Sequence, residues 1–291
     1  MKYTGRATFL TVLWVFVPLA IGCQDHGGAS QAASAPQAEP GFKESWDRKS
    51  FDHGLWDRVA QRFVSGEGLV DYAGIRGSEA FKEYLYRLSK TDAAGLKDDH
   101  ERLAFWINAY NVLTIEAVLR TLPEDRAKWP SYSIRSQRVG GQTLWKGLRF
   151  TVGGGQYTLD QIEHEVLRKR DGLRDPRIHV VLVCAARGCP PLWNHAYTGA
   201  KVKEQLAAAL RRFVGNPKHC RIDRAQERIH ISKIFDWYAK DFTDPRFSPH
   251  AKSVPAFLAE AVEDAKLSAA LRSRGWRIDY FDYDWKLNLR P

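Results

Sequence analysis

The sequence predicts an α+β fold in a single domain, with helices packed on a small mixed or antiparallel sheet. Stretches whose apolar residues recur at helical spacing occupy most of segment 50–290. Short alternating or wholly apolar runs lie between them, as strands do. No internal repeat and no change in composition divides the chain after residue 45. With 44% hydrophobic residues, the chain can bury a sizeable core.

The first 22 residues are predicted to be a signal peptide of the lipoprotein type. Lys2 and Arg6 form a basic start, and the apolar run over residues 7–21 is too short to span a membrane. The run ends in Ala-Ile-Gly-Cys23, which resembles a bacterial lipobox, in which Cys23 becomes the acylated first residue. The alternative is an ordinary secretory signal with a chance cysteine. We expect a membrane-anchored lipoprotein of the bacterial cell envelope that faces the periplasm, with the outer membrane as its site.

Residues 23–45 are predicted to be the acylated cysteine and a disordered tether, and residues 46–291 the globular domain. The tether is rich in Gly, Ala, Ser, Gln and Pro and cannot bury enough apolar surface to fold. The formal charge of +10 is scattered along the chain rather than blocked. We therefore expect no nucleic-acid partner, but a membrane contact through the N-terminal lipid and an unknown small-molecule or peptide ligand.

Three helices are predicted in the first half of the domain. Apolar spacing predicts one over residues 55–63, Ser78 caps a second, and Asp98 opens a third that runs to about Leu122. In the third helix, Asn108 and Asn111 lie on one side of a mostly buried surface. An unpaired buried amide costs about 1–3 kcal/mol, so these two side chains either tie loops to the helix or line a polar cleft.

A strand over residues 148–152 and a glycine turn are predicted to lead into a helix over residues 159–170, which Thr158 and Gln161 open as a capping box. Glu163 falls inside the apolar arc of this helix, so its carboxylate must be paired or perturbed. His164 lies to one side, at a predicted rim. It is either an exposed helix histidine or a catalytic one.

The apolar run 178–183 predicts a central strand buried on both faces. It leads into Cys184 and a loop in which Gly188 and Pro190 place Cys189 on a shaped turn. Loops after buried strands commonly carry catalytic and binding groups. Cys184 and Cys189 can also form a disulfide in an oxidising envelope, if the loop doubles back.

The rest of the chain predicts a helix, a hairpin, two more helices and a final strand. The helix covers residues 201–214, and the hairpin pairs residues 221–223 with 228–231. An aromatic helix follows over 234–242. We expect a further helix from Ser253 to about Lys266 and a strand over 276–285.

Several of these stretches together resemble the bacterial and plant family known as domain of unknown function 547. The matching stretches are 70–72, 104–111, 158–164, 175–179, 184–192 and 283–285. They run in order through nearly the whole of segment 50–290. The resemblance implies a fold and a cell location more than an activity. Relatives more often carry Ser before the second cysteine, where this chain has Gly188, which implies a weakened site if that hydroxyl takes part in chemistry.

The sharpest functional hypothesis is a thiol-dependent hydrolase or acyl transferase. Such an enzyme needs a nucleophile, a base and an orienting group. The nucleophile is Cys189 or, failing that, Cys184. The base is His164 or His179, and a strand would separate His179 from Cys184 by about 16 Å. His164 is therefore the preferred base and His179 a structural residue bonded to a neighbouring element.

Side chains that carry an amide or a carboxylate complete this hypothesis by orienting the imidazole or binding an oxyanion: Glu163, Asn108 and Asn111. The competing hypothesis is a non-catalytic envelope module that binds a ligand or partner, with the cysteines bridged or buried. A metal site built from His179, Cys184, Cys189 and His195 is the weakest, because the spacing fits no zinc pattern. No cofactor is expected. If the sulfurs of Cys184 and Cys189 are bonded to each other, the thiol-dependent enzyme is excluded and only the binding module remains.

Overall fold

Helices dominate the computed structural model of the chain, which describes residues 50–273 and 275–291. The predicted signal peptide, the acylated Cys23 and the tether lie outside the described residues and stay predictions. The described residues form one compact unit. Within the described ranges, no helix combines the length and the apolar character that a membrane crossing needs.

The α-helices follow one another along the whole described chain. They are α1 (Gly54–Phe63), α2 (Tyr72–Arg76), α3 (Glu79–Lys90), α4 (Asp99–Thr121), α5 (Leu144–Gly147), α6 (Leu159–Gln161), α7 (Val202–Val214), α8 (Ile234–Trp237), α9 (Ala239–Thr243), α10 (Val254–Leu258) and α11 (Ala265–Arg272). Short 3₁₀ turns cover Arg126–Ser131, Ile134–Ser136, Pro176–Val180 and Ala259–Ala261. A π-helical turn, Ile162–Leu167, continues α6.

The strands are short and form three small sheets. They are β1 (Arg138–Val139), β2 (Gln142–Thr143), β3 (Phe150–Val152), β4 (Gly155–Tyr157), β5 (Cys220–Asp223), β6 (Arg228–Ile231) and β7 (Arg277–Tyr280). The first four form two antiparallel hairpins. In the third sheet, β6 pairs antiparallel with β5 and parallel with β7. The predicted α+β class and the mixed sheet are confirmed.

Helix α4 is the centre of the core. The Asp98 side chain accepts a hydrogen bond from the Glu101 N–H at its start, as predicted, and sixteen of its 23 residues are buried. It packs against α2, α3, α6, α7 and the π-helical turn. A helix that is buried almost all round is the element on which other helices assemble.

The predicted central strand at residues 178–183 is wrong. The segment begins as the 3₁₀ turn Pro176–Val180, and the N–H groups of Val181 and Leu182 both donate to the carbonyl of Ile178. The next hydrogen bonds come from the side chain of Asn111 instead of a neighbouring strand. A short apolar run indicates burial but not the identity of its hydrogen-bond partner, so it does not separate a strand from a buried turn.

Several other predicted elements also differ in their bounds. The helix expected over residues 159–170 is α-helical only to Gln161 and ends at Leu167 as the π-helical turn. The aromatic helix is broken at Tyr238 into α8 and α9, because the Tyr238 backbone leaves the helical conformation. The helix expected up to Lys266 ends earlier, and the Asp264 side chain caps a new helix, α11. The last strand is confined to β7. The hairpin of β5 and β6 and the capping box at Thr158 are confirmed.

The segment 284–290, here called the C-terminal segment, runs along the loop that contains the two cysteines. The N–H of Gly188 donates to the carbonyl of Asp284 at 2.8 Å, and the N–H of Asn288 donates to that of Ala185 at 2.9 Å. Gly188 allows this approach, since a Cβ there would lie 2.9 Å from the backbone nitrogen of Asp284. The loop is therefore held on one side by backbone hydrogen bonds.

Candidate functional site

A pocket of about 220 Å³ opens beside the loop from Cys184 to Cys189, here called the cysteine loop. It lies between the π-helical turn, the cysteine loop, α8, and the start of the C-terminal segment with Tyr283 just before it. Its walls are mainly aromatic, and polar groups and the two sulfurs complete them. The lining residues are Tyr110, Trp145, Asp160, Glu163, His164, His179, Leu182, Cys184, Cys189, Pro190, Ile234, Trp237, Tyr238, Tyr283 and Trp285.

The π-helical turn presents Glu163 to this pocket. Its wider turn is visible in the bond from the Arg168 N–H to the carbonyl of Glu163, five residues earlier. Such turns occur frequently at functional sites. The buried Glu163 carboxylate accepts a hydrogen bond from the Tyr110 hydroxyl at 3.2 Å, and the Tyr238 phenol lies near enough for the charge of Glu163 to raise its pKa. Burial, and next the charge of Glu163, raise the pKa of both phenols, so they stay protonated.

His179 lies between two carboxylates. Its Nε2 is 2.8 Å from Oδ2 of Asp241, and its Nδ1 is 4.0 Å from Oε1 of Glu163. The ring stacks on Tyr238 at 3.8 Å between centroids. Burial lowers the pKa of His179, against the opposing effect of the Asp241 hydrogen bond. A neutral imidazole that donates Nε2–H to Asp241 keeps Nδ1 as its basic nitrogen.

Asp241 on α9 is held by two partners and was not predicted. Arg168 forms a bidentate ion pair with Asp241, in which Nε lies 2.6 Å from Oδ2 and Nη2 lies 2.8 Å from Oδ1. Burial opposes ionisation of Asp241, but the hydrogen bonds from His179 and Arg168 hold its pKa well below the usual range. The carboxylate therefore orients His179 and stays charged.

His164 lies at the rim of the pocket, as expected, with 36% of its side chain exposed. The Nη1 of Arg168 lies 2.7 Å from its Nδ1, and Oδ1 of Asp160 lies 3.7 Å from its Nε2. Arg168 therefore connects the rim histidine to the pair formed by Asp241 and His179.

The two loop sulfurs are bonded to each other. Cys184 and Cys189 form a disulfide with their Cα atoms 6.2 Å apart. The loop doubles back through Ala185, whose φ is +62°. The Tyr283 hydroxyl lies 3.2 Å from the Cys184 sulfur and 3.1 Å from that of Cys189. In this form neither sulfur can act as a nucleophile.

A family model with the description "Protein of unknown function, DUF547" covers residues 94–214. Residues 94–214 match DUF547. The match supports the predicted resemblance over this stretch. No curated protein and no solved structure matches the chain.

The DUF547 segment contributes one side of the pocket. Glu163, His179 and both bonded cysteines lie within residues 94–214, whereas Asp241 and the aromatic wall of Trp237, Tyr283 and Trp285 come from later in the chain. The pocket is therefore built from the DUF547 segment and from the region that follows it.

Asn108 and Asn111 are structural ties, the first of the two alternatives considered. Asn108 donates to the carbonyl of Tyr197 at 2.7 Å and accepts from its N–H at 3.0 Å. Asn111 donates to the carbonyl of Val181 at 3.0 Å and accepts from the N–H of Val183 at 2.9 Å. Each amide satisfies backbone groups that lack a strand partner, and neither is among the described residues that line the pocket.

The ligand set considered for a metal is not assembled. The sulfurs of Cys184 and Cys189 are bonded to each other, and His195 lies elsewhere, 3.6 Å from Oδ1 of Asp57. Across residues 50–273 and 275–291, no group of three or more His, Cys, Asp or Glu residues is placed to hold a metal ion.

The structure brings together five of the seven predicted site residues in one pocket, and their catalytic roles stay predictions. They are Glu163, His164, His179, Cys184 and Cys189. His179 and Cys184 line the same pocket because the strand expected to hold them apart does not form. Sequence reasoning missed Asp241, Arg168 and most of the aromatic wall. The clustered aromatic residues at 237–238 and 283–285 were the available signal.

Proposed function

We propose that the chain is a lipid-anchored protein of the bacterial cell envelope whose pocket binds a small ligand. The observation that carries this proposal is the preordered pocket, in which the Tyr110 hydroxyl donates to Glu163 while both sulfurs are bonded to each other. A site without a free thiol suits binding better than nucleophilic catalysis. The anchor follows from the lipobox-like ending at Cys23.

The aromatic wall suggests the chemistry of the ligand. Trp237 and Trp285 have centroids 5.8 Å apart, and Tyr283 lies 4.8 Å from Trp237 and 4.5 Å from Trp285. Aromatic faces attract cations and rings, and the carboxylates of Asp160 and Glu163 add negative charge. The volume of about 220 Å³ is below the common range for drug-sized ligands. We infer a compact ligand with a ring or an amine.

Matched probes of opposite charge test this inference. Tryptophan fluorescence of the oxidised protein is titrated with benzylammonium and with phenylacetate, which have similar rings. We expect benzylammonium to bind at least about tenfold more tightly, and Glu163→Gln to remove most of that preference. Glu116→Gln on α4 serves as the control. Equal affinities, or no binding of either probe, would overturn the proposal.

The anchor has a separate test. Expression of the full-length chain in a bacterium, followed by membrane fractionation and mass spectrometry of the mature N-terminus, should find a diacylated or triacylated Cys23. Cys23→Ser should move the protein out of the membrane fraction. A soluble wild-type protein with an unmodified N-terminus would contradict anchoring.

The disulfide removes the thiol-dependent hydrolase or acyl transferase as a candidate for the oxidised protein, and we propose it as a second candidate for the reduced form alone. One observation favours it: His179, oriented by Asp241, lines the same pocket as both cysteines. In a dithiol form, His179 would accept the thiol proton, the thiolate would attack an acyl carbon, and the leaving group would depart with that proton. Water would then release the acyl group.

Ester hydrolysis tests the second candidate. After reduction with a phosphine, p-nitrophenyl acetate should give a burst of product equal to the enzyme concentration. Cys189→Ser or Cys184→Ser should remove it, whereas Cys220→Ser should not, since the free thiol of Cys220 is buried and burial raises its pKa to about 12. Loss of the burst in His179→Gln but not His164→Gln would identify the base. A reduced protein without a burst would remove this candidate.

A further inference from the structure

The two sulfurs of the disulfide have different surroundings. Both cysteines line the pocket, but Cys184 is partly exposed whereas Cys189 is only 3% exposed. A thiol that enters the pocket can therefore reach Cys184 more easily than Cys189. Thiol–disulfide exchange is controlled by this access and by the stability of the sulfur that leaves.

Two hydrogen-bond donors point at the less accessible sulfur. The backbone N–H of Cys184 lies 3.0 Å from the Cys189 sulfur. The Tyr283 hydroxyl lies 3.1 Å from the Cys189 sulfur and 3.2 Å from that of Cys184, so the backbone N–H is the donor that distinguishes the two sulfurs. Burial raises the pKa of Tyr283, so its hydroxyl keeps the proton that it donates. Donors that face a sulfur stabilise its thiolate and make it a better leaving group.

The surrounding backbone keeps the two sulfurs together after the bond opens. The C-terminal segment holds the loop through hydrogen bonds to Ala185, Arg187 and Gly188. These bonds do not depend on the disulfide. The loop can therefore open and close without a change of fold, which a site that cycles between two redox states requires.

We propose that Cys184 and Cys189 form a thiol–disulfide exchange site, in which Cys184 is attacked and Cys189 leaves as the stabilised thiolate. The proposal rests on the disulfide and its donors and is independent of the ligand proposed above. It gives the pocket a second class of reactant, a small dithiol or the exposed dithiol of a partner protein.

The exchange proceeds in two steps. A thiolate of the reductant attacks the Cys184 sulfur, the bond between the two cysteines breaks, and its electron pair goes to Cys189. The second thiol of the reductant, once deprotonated, attacks the reductant sulfur of the mixed disulfide and releases Cys184, which takes up that proton. The reductant becomes a disulfide, and two electrons reduce the cysteine pair.

Trapping identifies the attacked sulfur. The folded mature protein is treated with glutathione, a monothiol, and quenched with acid before peptide mapping. We expect glutathione on Cys184 at least about tenfold more often than on Cys189, in line with their exposure. Attachment mainly to Cys189, or no attachment until the protein is unfolded, would overturn the proposal.

The rate of opening by dithiothreitol tests the leaving group. Tyr283→Phe keeps the ring against Trp237 and Trp285 but removes the donor, and we expect it to slow opening about tenfold. Tyr280→Phe, a nearby tyrosine without a described sulfur contact, should leave the rate unchanged. Equal rates in wild type and Tyr283→Phe would show that the hydroxyl has no such role. The ligand titration is performed on oxidised protein, so the two proposals can fail separately.

Discussion

His53 and His179 are both buried histidines, yet their surroundings differ. His53 Nδ1 lies 2.7 Å from the Tyr84 hydroxyl and 3.1 Å from Nδ2 of Asn108, and its Nε2 has no partner among the described residues. His179 is bonded to the carboxylate of Asp241, and it borders a pocket. The described hydrogen-bond partners of the first histidine are neutral, and the only charge that acts on its pKa there is the more distant Asp52, whereas the second histidine is bonded directly to a carboxylate.

The difference shows that burial alone does not mark a functional histidine. Burial lowers the pKa of both, to about 3 for His53. Only His179 combines an orienting carboxylate with access to a cavity, which a proton acceptor needs. His53 instead fills the core between α1, α3 and α4. The following predictions test how far the two regions differ.

The largest effect is expected from Asp241→Asn, which removes the charge that both Arg168 and His179 contact. Breaking a buried ion pair leaves an uncompensated charge, so we expect a loss of about 3–5 kcal/mol in the free energy of unfolding, measured by urea denaturation. Asp244→Asn is the control, because its partner Arg246 is 70% exposed. A similar loss of unfolding free energy in both variants would mean that the buried ion pair stabilises the fold no more than the exposed one does.

The next largest losses of stability are expected at the two asparagines on α4. Asn108 supports the region of His53, and Asn111 supports the pocket. Asn108→Ala and Asn111→Ala each leave two backbone groups of another segment without a partner, and we expect losses of about 2–4 kcal/mol. Only Asn111→Ala should also alter benzylammonium binding, because it anchors the residues beside Leu182 in the pocket wall. If Asn108→Ala weakens binding as much, the two regions are not separate.

Acid should destabilise the protein through the core histidine. The unfolded chain takes up a proton at His53 below its ordinary pKa of 6.5, whereas the folded protein does so only near 3. Stability therefore falls as pH decreases from 6.5, by about 1.4 kcal/mol per pH unit for this group.

His53→Gln removes that proton uptake, so we expect it to reduce the acid loss between pH 6.5 and about 5 by roughly 2 kcal/mol. Urea denaturation at several pH values measures this, with the exposed His250→Gln as the control. Parallel pH profiles for wild type and His53→Gln would refute the assignment.

The smallest effect is expected at Gly188, where the C-terminal segment packs against the cysteine loop beside the pocket. A Cβ at this position would lie 2.9 Å from the Asp284 nitrogen and 3.1 Å from the Tyr283 ring, so Gly188→Ala should cost about 1 kcal/mol and shift Tyr283. Gly66→Ala, whose Cβ would have nothing within 4 Å, is the control. Thermal unfolding separates the two.

Local signals in the sequence predicted much of the fold. Ser78, Asp98 and Thr158 cap the helices that they were expected to cap, because a cap depends on residues three positions apart. The run 178–183 was assigned wrongly because its hydrogen-bond partner, Asn111, lies about 70 positions away. Burial can be read from composition, whereas the identity of a distant partner cannot.

The site was predictable only in part for the same reason. Cys184, Cys189 and Glu163 were found because thiols and a carboxylate on an apolar face are unusual. Asp241 was missed, since its bonds to Arg168 and His179 connect residues 73 and 62 positions apart. Ala185 gave no sign of its positive φ, because alanine rarely adopts it.

The C-terminal segment has a consequence for the order of folding. Its hydrogen bonds to Gly68, Val70 and Tyr72 join residues that are 216 to 220 positions apart. Closing such long loops is slow compared with forming helix α4, whose contacts begin locally. We expect the helical core to assemble first and the wall of the pocket to arrive last. A folding intermediate would then exist in which the sulfurs of Cys184 and Cys189 are more accessible to external thiols than they are in the native fold.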